Sequence, residues 1–313
     1  MWGAVALMIN FMISSALNGA GDTLTPLLVL IFVNAANILF DWLLIFGVGP
    51  FPELGVTGAA WAVVISRTIA SVILLWVASS PRHVIGMTLL TGWHVNLSVW
   101  AKMFYIGVPS SIQGFTRNAA YLMLLCILNQ TEDGMYAVAG YTICGQIQMV
   151  RVMVGLAFMS AAMTAVGQNM GAGNADRAVR SCWTVARISA IGSGLLAAFF
   201  IIGAPWLIRF FTQDPEAVRW GVTSLRVMSV SLPFLTTAMA FSGGLRGAGD
   251  TMSPLYVSLI CFSGVGPGLA YLLTVVMGYG PTGAWYGLSV AIVLQAFLVN
   301  WVFRRGRWKT IKL

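Results

Sequence analysis

Runs of about 20 mostly apolar residues recur along almost the whole chain, separated by short connecting segments. An α-helix of that length crosses the roughly 30 Å hydrocarbon core of a bilayer. Only 8% of the 313 residues are charged, against about a quarter in soluble domains. This composition excludes a soluble enzyme, a nucleic-acid-binding protein and a disordered chain. It predicts an all-α, polytopic membrane protein.

Hydropathy predicts eight complete spans that follow a shorter stub at residues 1–17. The complete spans are predicted at 26–47, 57–78, 102–128, 136–163, 184–204, 220–243, 254–277 and 283–303. The longest connection is 79–101, which is also the most polar.

The basic residues predict the orientation of these spans. Eleven Lys and Arg residues fall on the loops of one side and three on the loops of the other, and five of the eleven lie in the tail 304–313. Cytoplasmic loops carry the excess of basic residues in membrane proteins. We therefore expect a multi-pass protein of the plasma (inner) membrane, with the loop 79–101 and the C-terminus in the cytoplasm.

A ten-residue motif occurs twice, as LNGAGDTLTP at 17–26 and as LRGAGDTMSP at 245–254. Six predicted spans separate the copies, so both lie on the same side of the membrane, as in a parallel repeat. Locally, Gly-Ala-Gly permits a tight turn. Thr25 and Ser253 are predicted to cap the next helix, with Pro26 and Pro254 at its first position.

The repeat predicts the domain organisation. By symmetry we expect that about 130 residues are missing before Met1 and that the chain is the remainder of a 12-helix protein with two six-helix lobes. Residues 1–78 are then the C-terminal part of the first lobe, and 79–101 form a cytoplasmic loop between the lobes. Residues 102–303 form the second lobe, and 304–313 a basic cytoplasmic tail.

Short motifs follow one another in a fixed order along nearly the whole chain. They are LNGAGDT at 17–23, NILFD at 37–41, LGVTGAA at 54–60, GVP at 107–109, VGQNMGAG at 166–173 and LRGAGDT at 245–251. In these motifs the chain resembles the multidrug and toxic compound extrusion (MATE) transporters. The resemblance implies two lobes around a central cavity that opens alternately to each side. It also implies efflux of small amphipathic, often cationic compounds, driven by inward flow of H⁺ or Na⁺.

No nucleotide-binding motif supplies another source of energy. A phosphate-binding P-loop needs a lysine directly after a glycine, and Lys102, Lys309 and Lys312 follow other residues. We therefore expect a transporter rather than an enzyme, driven by an ion gradient or by a partner ATPase. The four cysteines lack metal-binding spacing. We expect no cofactor, no metal, no nucleic-acid partner and a monomer in the lipid bilayer.

Asp41 is the only carboxylate well inside an apolar run. Burying a carboxylate in a membrane costs about 2.5–3.5 kcal/mol, so such a residue pairs, coordinates an ion or holds a proton. Asn34, Asn37 and Asp41 are spaced i, i+3 and i+7 and share one helix face. They are predicted to couple transport to an ion, and a static polar packing cluster is the alternative.

The resemblance bears on which ion is used. The N-terminal lobe of the family carries Asn and Asp at this spacing, but Val63 stands where family members often have Thr. A glutamate that forms a cation site in the second lobe of some members is Arg117 here. The first departure removes a possible ligand, and the second favours proton coupling over sodium coupling.

Two groups of polar residues are predicted to line the substrate cavity. Gln113, Arg117 and Tyr121 share a helix face at i, i+4 and i+8, and Gln148 and Arg151 lie one turn apart in the next span. The alternative is hydrogen bonding between helices. A cavity arginine fits poorly with a purely cationic substrate and leaves anionic or zwitterionic ones open.

Gly266, Pro267 and Gly268 interrupt the span predicted at 254–277. Proline removes a helix hydrogen bond and clashes with the preceding turn, so a bent or broken helix is predicted here. Broken helices often mark substrate pathways, although a packing kink is an equal alternative.

Two alternatives to an efflux transporter fit the same architecture. A lipid-linked oligosaccharide flippase of the same superfamily would share the helices, with a more basic cavity and without the repeated Gly-Ala-Gly-Asp-Thr sequence. The other alternative is a truncated, non-functional fragment.

Overall fold

A computed structural model of the protein describes residues 2–80 and 96–310. In these ranges the chain forms eleven α-helices and no strand. They are α1 Trp2–Ala20, α2 Leu24–Phe46, α3 Gly55–Ser79, α4 Leu97–Leu128, α5 Gly134–Gly171, α6 Ala175–Arg209, α7 Pro215–Val230, α8 Leu232–Gly247, α9 Met252–Ser258, α10 Gly266–Tyr271 and α11 Pro281–Arg305. The predicted all-α fold is confirmed.

Seven helical segments of the described residues are long and apolar enough to cross a membrane. One is Gly3–Ala20, so the segment predicted as a stub at 1–17 is a helix of full spanning length. Helices α7 and α8 form an eighth segment that is bent by 48°. Pro233, in the first turn of α8, explains the bend because proline cannot continue the hydrogen bonds of the preceding helix.

Helix α4 is 32 residues long, which is ample for a span, but it is not among those seven. Gln113, Arg117 and Asn118 lie near its middle and lower its hydropathy. The helix begins at Leu97 rather than at the predicted residue 102. The rest of the predicted loop 79–101 lies mostly outside the described residues, since α3 ends at Ser79 and residues 81–95 are not described.

The helices form two compact units, 1–95 and 96–313. In the first unit, α3 packs against both α1 and α2. The apolar core of this unit includes Ile13, Leu17 and Leu74. Gly58 of α3 lies directly against the carbonyl oxygen of Leu44 at the end of α2, where a Cβ atom would not fit. This close approach fixes the crossing of the two helices.

In the second unit, the 38-residue helix α5 packs against α6, α7 and α8. Helix α8 approaches α5 through Gly243 and Gly247, and an added Cβ atom on either would collide with the carbonyl oxygen of Met159 or Met163. Small residues at helix contacts are typical of membrane bundles because they let backbones approach closely.

The two copies of the repeated motif form the same turn. Gly21 and Gly249 adopt positive φ angles of 96° and 87°, which glycine tolerates because it has no Cβ. The cap differs from the prediction. Oδ1 of Asp22 accepts a hydrogen bond from the Thr25 N–H, and Oδ1 of Asp250 accepts one from the Ser253 N–H, both at 3.0 Å.

Thr25 and Ser253 are therefore not the capping acceptors, and both lie one residue inside their helices. Pro26 and Pro254 occupy the third helical position rather than the first. A proline costs no hydrogen bond there, because the first four N–H groups of a helix have no partner within the helix.

The segment around Gly266, Pro267 and Gly268 stays helical, so the helix is not broken there, and a bend or a packing kink stays a prediction. Residues Leu259–Val265 form a π-helix directly before it, and Leu272–Val276 form a second one after α10. Together, residues Met252–Val276 are long and apolar enough to form one membrane span. The wider π-helical turns accommodate the proline, because they shift the hydrogen-bonding pattern without ending the helix.

Candidate functional site

The predicted coupling residues lie on α2 in the first unit. Asn34 is exposed, while Asn37 and Asp41 are half-buried. The side-chain nitrogen of Asn37 is buried without a hydrogen-bond acceptor. Asp41 makes no hydrogen bond or ion pair with any residue that the structure describes. The stripe is therefore present as a face of α2 with two unpartnered polar groups.

A cavity of about 350 Å³ lies among α1, α2 and α3. Asn34 lines it together with Asn10 and Arg67, whereas Asn37 and Asp41 are not among its lining residues. Nδ2 of Asn10 donates to the Arg67 carbonyl oxygen at 3.1 Å, and Oδ1 of Asn10 is buried without a donor. The cavity therefore joins one predicted coupling residue to two polar residues on neighbouring helices.

A cavity of about 140 Å³ in the second unit, here called the main cavity, lies among α4, α5, α8 and their neighbours. Four of the five residues predicted to line a substrate cavity meet there: Arg117, Tyr121, Gln148 and Arg151. Arg151 is only 1% exposed, and its Nη1 donates to Oε1 of Gln148 at 3.0 Å.

A smaller cavity of about 40 Å³, here called the side cavity, shares Arg117 with the main cavity. It contains Gln113, the fifth predicted residue, together with Arg246. Nη2 of Arg246 donates to Oε1 of Gln113. Nε2 of Gln113 donates to Ser258 Oγ at 2.6 Å and to the Pro254 carbonyl oxygen at 3.0 Å. Gln113 thus connects α4, α8 and α9.

Sequence reasoning missed three groups at these cavities. Arg246 is one of the eleven basic residues expected in cytoplasmic loops, and the sequence gives no role to Asn10 or Arg67. The signal for Arg246 lies in the repeat, where the first copy has Asn18 at the equivalent position. The signal for Arg67 was its place inside an apolar run. Asn10 lies in the segment taken as a stub, so its neighbours on α3 could not be anticipated.

Two further cavities contain none of the paired Arg and Gln side chains. A groove of about 460 Å³ beside the bend between α7 and α8 is almost entirely apolar, with Arg226 as its only charged side chain. Another, of about 530 Å³, surrounds the start of α6 at Asp176 and Arg177. We therefore regard the main and side cavities as the candidate site.

Fold and site define a multi-pass helical membrane protein that keeps charged and polar side chains around cavities between its helices, as transporters do. The sequence profile of the MatE family matches residues 109–272, more than half of the chain. The chain belongs to this family.

Similar proteins include "Probable multidrug resistance protein NorM" of Thermotoga maritima, which is 29% identical over 98% of this chain and 65% of its own length. A protein of Shewanella oneidensis described as an FAD transporter is 24% identical over 82% of this chain and 56% of its own length. The outward-facing structure of a multidrug resistance MATE family transporter of the MOP superfamily superposes with a TM-score of 0.89, at 22% identity, over 99% of this chain and 68% of that one. The chain thus spans about two thirds of the length of the NorM relative.

Proposed function

We propose that the protein containing this chain exports small amphipathic organic molecules across the plasma (inner) membrane by alternating access, driven by proton antiport. One observation carries the proposal: a MatE-family chain holds arginine, glutamine and tyrosine side chains around a cavity inside apolar helices. Polar groups in a membrane are expensive, and they persist where they serve a pathway. The activity is transport and not catalysis.

Membership of the family leaves the cargo open. The two relatives differ by name, one being described as a probable multidrug resistance protein and the other as an FAD transporter. The choice of substrate therefore has to come from the side chains of each protein's own cavity.

Asp41 is proposed as the proton carrier, with Asn37 and Asn34 as its neighbours on α2. The support is its half-buried position in an apolar helix and its lack of a partner among the described residues. Sodium is the alternative ion. It is less favoured because Arg117 stands where some family members have the glutamate of a second-lobe cation site.

The domain and topology predictions belong to the same proposal. Residues 1–78 would be part of the first lobe, 102–303 the second lobe, and 304–313 a cytoplasmic tail. The division of the structure into units 1–95 and 96–313 supports a boundary in the connecting segment.

A lipid-linked oligosaccharide flippase is the second candidate. The three arginines at the two cavities favour it, since a basic cavity suits a diphosphate-linked lipid. The repeated motif counts against it, because both copies are present and fold alike. A non-functional fragment remains the third alternative, and it predicts no transport at all.

The test uses the complete coding sequence that contains these residues, reconstituted in liposomes with either a pH gradient or a sodium gradient. We expect uptake of an amphipathic fluorescent dye against its gradient with the proton gradient alone. Uptake that requires sodium would replace the proton in the mechanism. Translocation of a labelled lipid-linked sugar without dye transport would establish the flippase instead, and absence of both would leave a non-transporting chain.

A further inference from the structure

Three arginine side chains lie at the main and side cavities without an acidic partner. Arg117 and Arg151 line the main cavity, and Arg117 and Arg246 line the side cavity. No Asp or Glu is among the described residues that line either cavity. The two ion pairs found in the described ranges involve other side chains.

Neutral amides stand where acidic partners would be expected. Arg151 donates to the Gln148 side chain, and Arg246 donates to the Gln113 side chain. A glutamine oxygen accepts a hydrogen bond but carries no charge, so each guanidinium keeps its full positive charge. In addition, Nε of Arg151 and Nε of Arg246 are buried without an acceptor.

This arrangement has a physical cost that a ligand would offset. An unpaired charge inside a protein costs several kcal/mol, and arginines in membrane helices therefore normally find a carboxylate or a carbonyl group. The planar guanidinium offers parallel N–H donors that match the two oxygens of a carboxylate, sulfonate or phosphate. A negatively charged ligand would supply the missing partner.

The rest of the main cavity suits an apolar ring. Tyr121 and Tyr141 are stacked with their ring centroids 5.7 Å apart, and Tyr141 stacks in turn on Trp285 at 6.5 Å. Met239 and Phe262 add apolar surface. A volume of about 140 Å³ is below that of sites for whole drug-sized ligands, roughly 300–1,000 Å³. It therefore fits an anionic group and the adjoining ring of an aromatic ligand, with the second ring of a naphthalene or the rest of a larger molecule extending outside.

We propose that the main cavity binds amphipathic organic anions, with Arg151 and Arg117 holding the anionic group and the Tyr121–Tyr141 pair contacting an adjacent ring. That these anions are the exported cargo rests on the proposed function; that they bind here does not. The inference differs from the often cationic substrates that the family resemblance implies, because the described residues that line the cavity include no carboxylate to receive a cation.

The test compares two probes of matched shape and opposite charge, naphthalene-1-sulfonate and 1-naphthyl-trimethylammonium. Binding of each to the full chain is measured by isothermal titration in nanodiscs of phosphatidylcholine, which lacks net charge. We expect the sulfonate to bind and the ammonium compound to bind at least tenfold more weakly. Equal or tighter binding of the ammonium compound would overturn the proposal.

Substitutions of single arginines test whether the sulfonate binds in the main cavity. Arg151→Gln removes the charge and keeps hydrogen-bonding groups, and it should weaken sulfonate binding roughly tenfold or more, as expected for the loss of a charged hydrogen bond. Arg151→Lys keeps the positive charge but lacks the parallel N–H donors of the guanidinium, so it should bind the sulfonate more tightly than Arg151→Gln and less tightly than the parent. Arg226→Gln is the matched control, since it removes one exposed arginine that lies at the separate apolar groove. A loss caused by Arg226→Gln and not by Arg151→Gln would contradict the assignment.

Arg151 is almost fully buried, so Arg151→Gln must be checked for folding by its elution profile and thermal midpoint. If it does not fold, Arg117→Gln replaces it, because Arg117 is more exposed and lines both cavities.

An anionic lipid headgroup is the other possible partner of these arginines. When the titration is repeated with phosphatidylglycerol in the nanodiscs, we expect the sulfonate affinity to change by less than about twofold. Full competition by the lipid would overturn the proposal that the ligand is a soluble organic anion. Binding without gradient-driven transport would defeat the proposed function and leave the binding site standing.

Discussion

Arg151 donates a hydrogen bond of 3.0 Å to the side-chain oxygen of Gln148, one turn earlier on the same helix. The amide nitrogen of Gln148 is directed at the sulfur atoms of Cys144 and Met228, each at 3.0 Å. Gln148 is thus held in place from both ends, and it orients the guanidinium without neutralising it. Replacing the amide nitrogen of Gln148 by an oxygen, as in glutamate, therefore tests the electrostatics of the main cavity.

Gln148→Glu should convert the Arg151 site from anion-binding to neutral. The substitution keeps the shape of the side chain and places a carboxylate at hydrogen-bonding distance from the guanidinium. We expect affinity for naphthalene-1-sulfonate to fall roughly tenfold or more. Affinity for the ammonium probe should stay level or rise. Isothermal titration measures both.

Gln213→Glu is the control for this charge change. Gln213 is exposed in the connection between α6 and α7 and does not line either cavity. It adds the same negative charge to the second unit outside the helices and should leave sulfonate affinity within about twofold, because exposed charges are well screened. Equal losses in the two variants would mean that only net charge matters and that the Arg151–Gln148 pair has no special role.

Gly243→Ala should destabilise the second unit. An added Cβ atom would overlap the Met159 carbonyl oxygen where α8 crosses α5, and backbone atoms cannot move aside as a flexible side chain can. Overpacking of this kind costs about 1–3 kcal/mol. A lower thermal midpoint in detergent is the expected result.

Gly145→Ala provides the comparison for Gly243→Ala. Nothing lies within 4 Å of the Cβ position at Gly145, which is also in α5. Alanine is favoured over glycine in a helix by roughly 0.5–1 kcal/mol, so this variant should match or exceed the parent in thermal midpoint. If both variants melt with the parent, the close approach of α8 to α5 is not a constraint on stability.

The apolar pattern predicted the fold well because membrane helices must satisfy their own backbone hydrogen bonds. That rule sets helix number and approximate length, but not the ends. Asp22 and Asp250 cap the helices in the structure, whereas the sequence predicted Thr25 and Ser253 as the caps. Which of several polar residues captures a free N–H depends on turn geometry, which the Gly21 and Gly249 conformations set.

The candidate site was predictable where its residues share one helix and not where they come from several. Helical spacing placed Gln148 beside Arg151, and the structure has that contact. The link from Gln113 to Arg246 joins residues that are far apart in sequence, so no local pattern could reveal it. The π-helical bonding next to Pro267 was likewise not predicted, because a switch to π-helical bonding depends on the packing of the whole span.

Cysteine labelling in a cysteine-free variant of the complete protein should establish the orientation. Gln130→Cys lies in the exposed segment between α4 and α5, and Arg307→Cys lies in the exposed stretch after α11. The excess of basic residues predicts that the first reacts with a membrane-impermeant thiol reagent added outside whole cells and that the second reacts only after permeabilisation. Labelling of Arg307→Cys in intact cells would reverse the assigned topology.

Asp41→Asn should abolish gradient-driven export while expression and membrane insertion stay at the parental level. Asparagine keeps the volume and the hydrogen-bonding capacity of the side chain, but it cannot take up and release a proton. Dye transport in liposomes with an imposed pH gradient measures the effect, and facilitated downhill movement should persist. Asn37→Ala should reduce the coupled rate less, because it removes a neighbour and not the proposed proton carrier.

Glu53→Gln is the matched control for the loss of a carboxylate in the first unit. Glu53 is exposed in the connection between α2 and α3 and lies outside the apolar helices, so we expect parental transport and parental pH dependence. Should Asp41→Asn also transport at the parental rate, Asp41 would be a packing residue, because an embedded carboxylate that carries the proton cannot be replaced by an amide without loss of coupling. Proton coupling would then have to rest on groups other than the α2 stripe, and Asn34 and Asn37 would be left as packing partners of the helix.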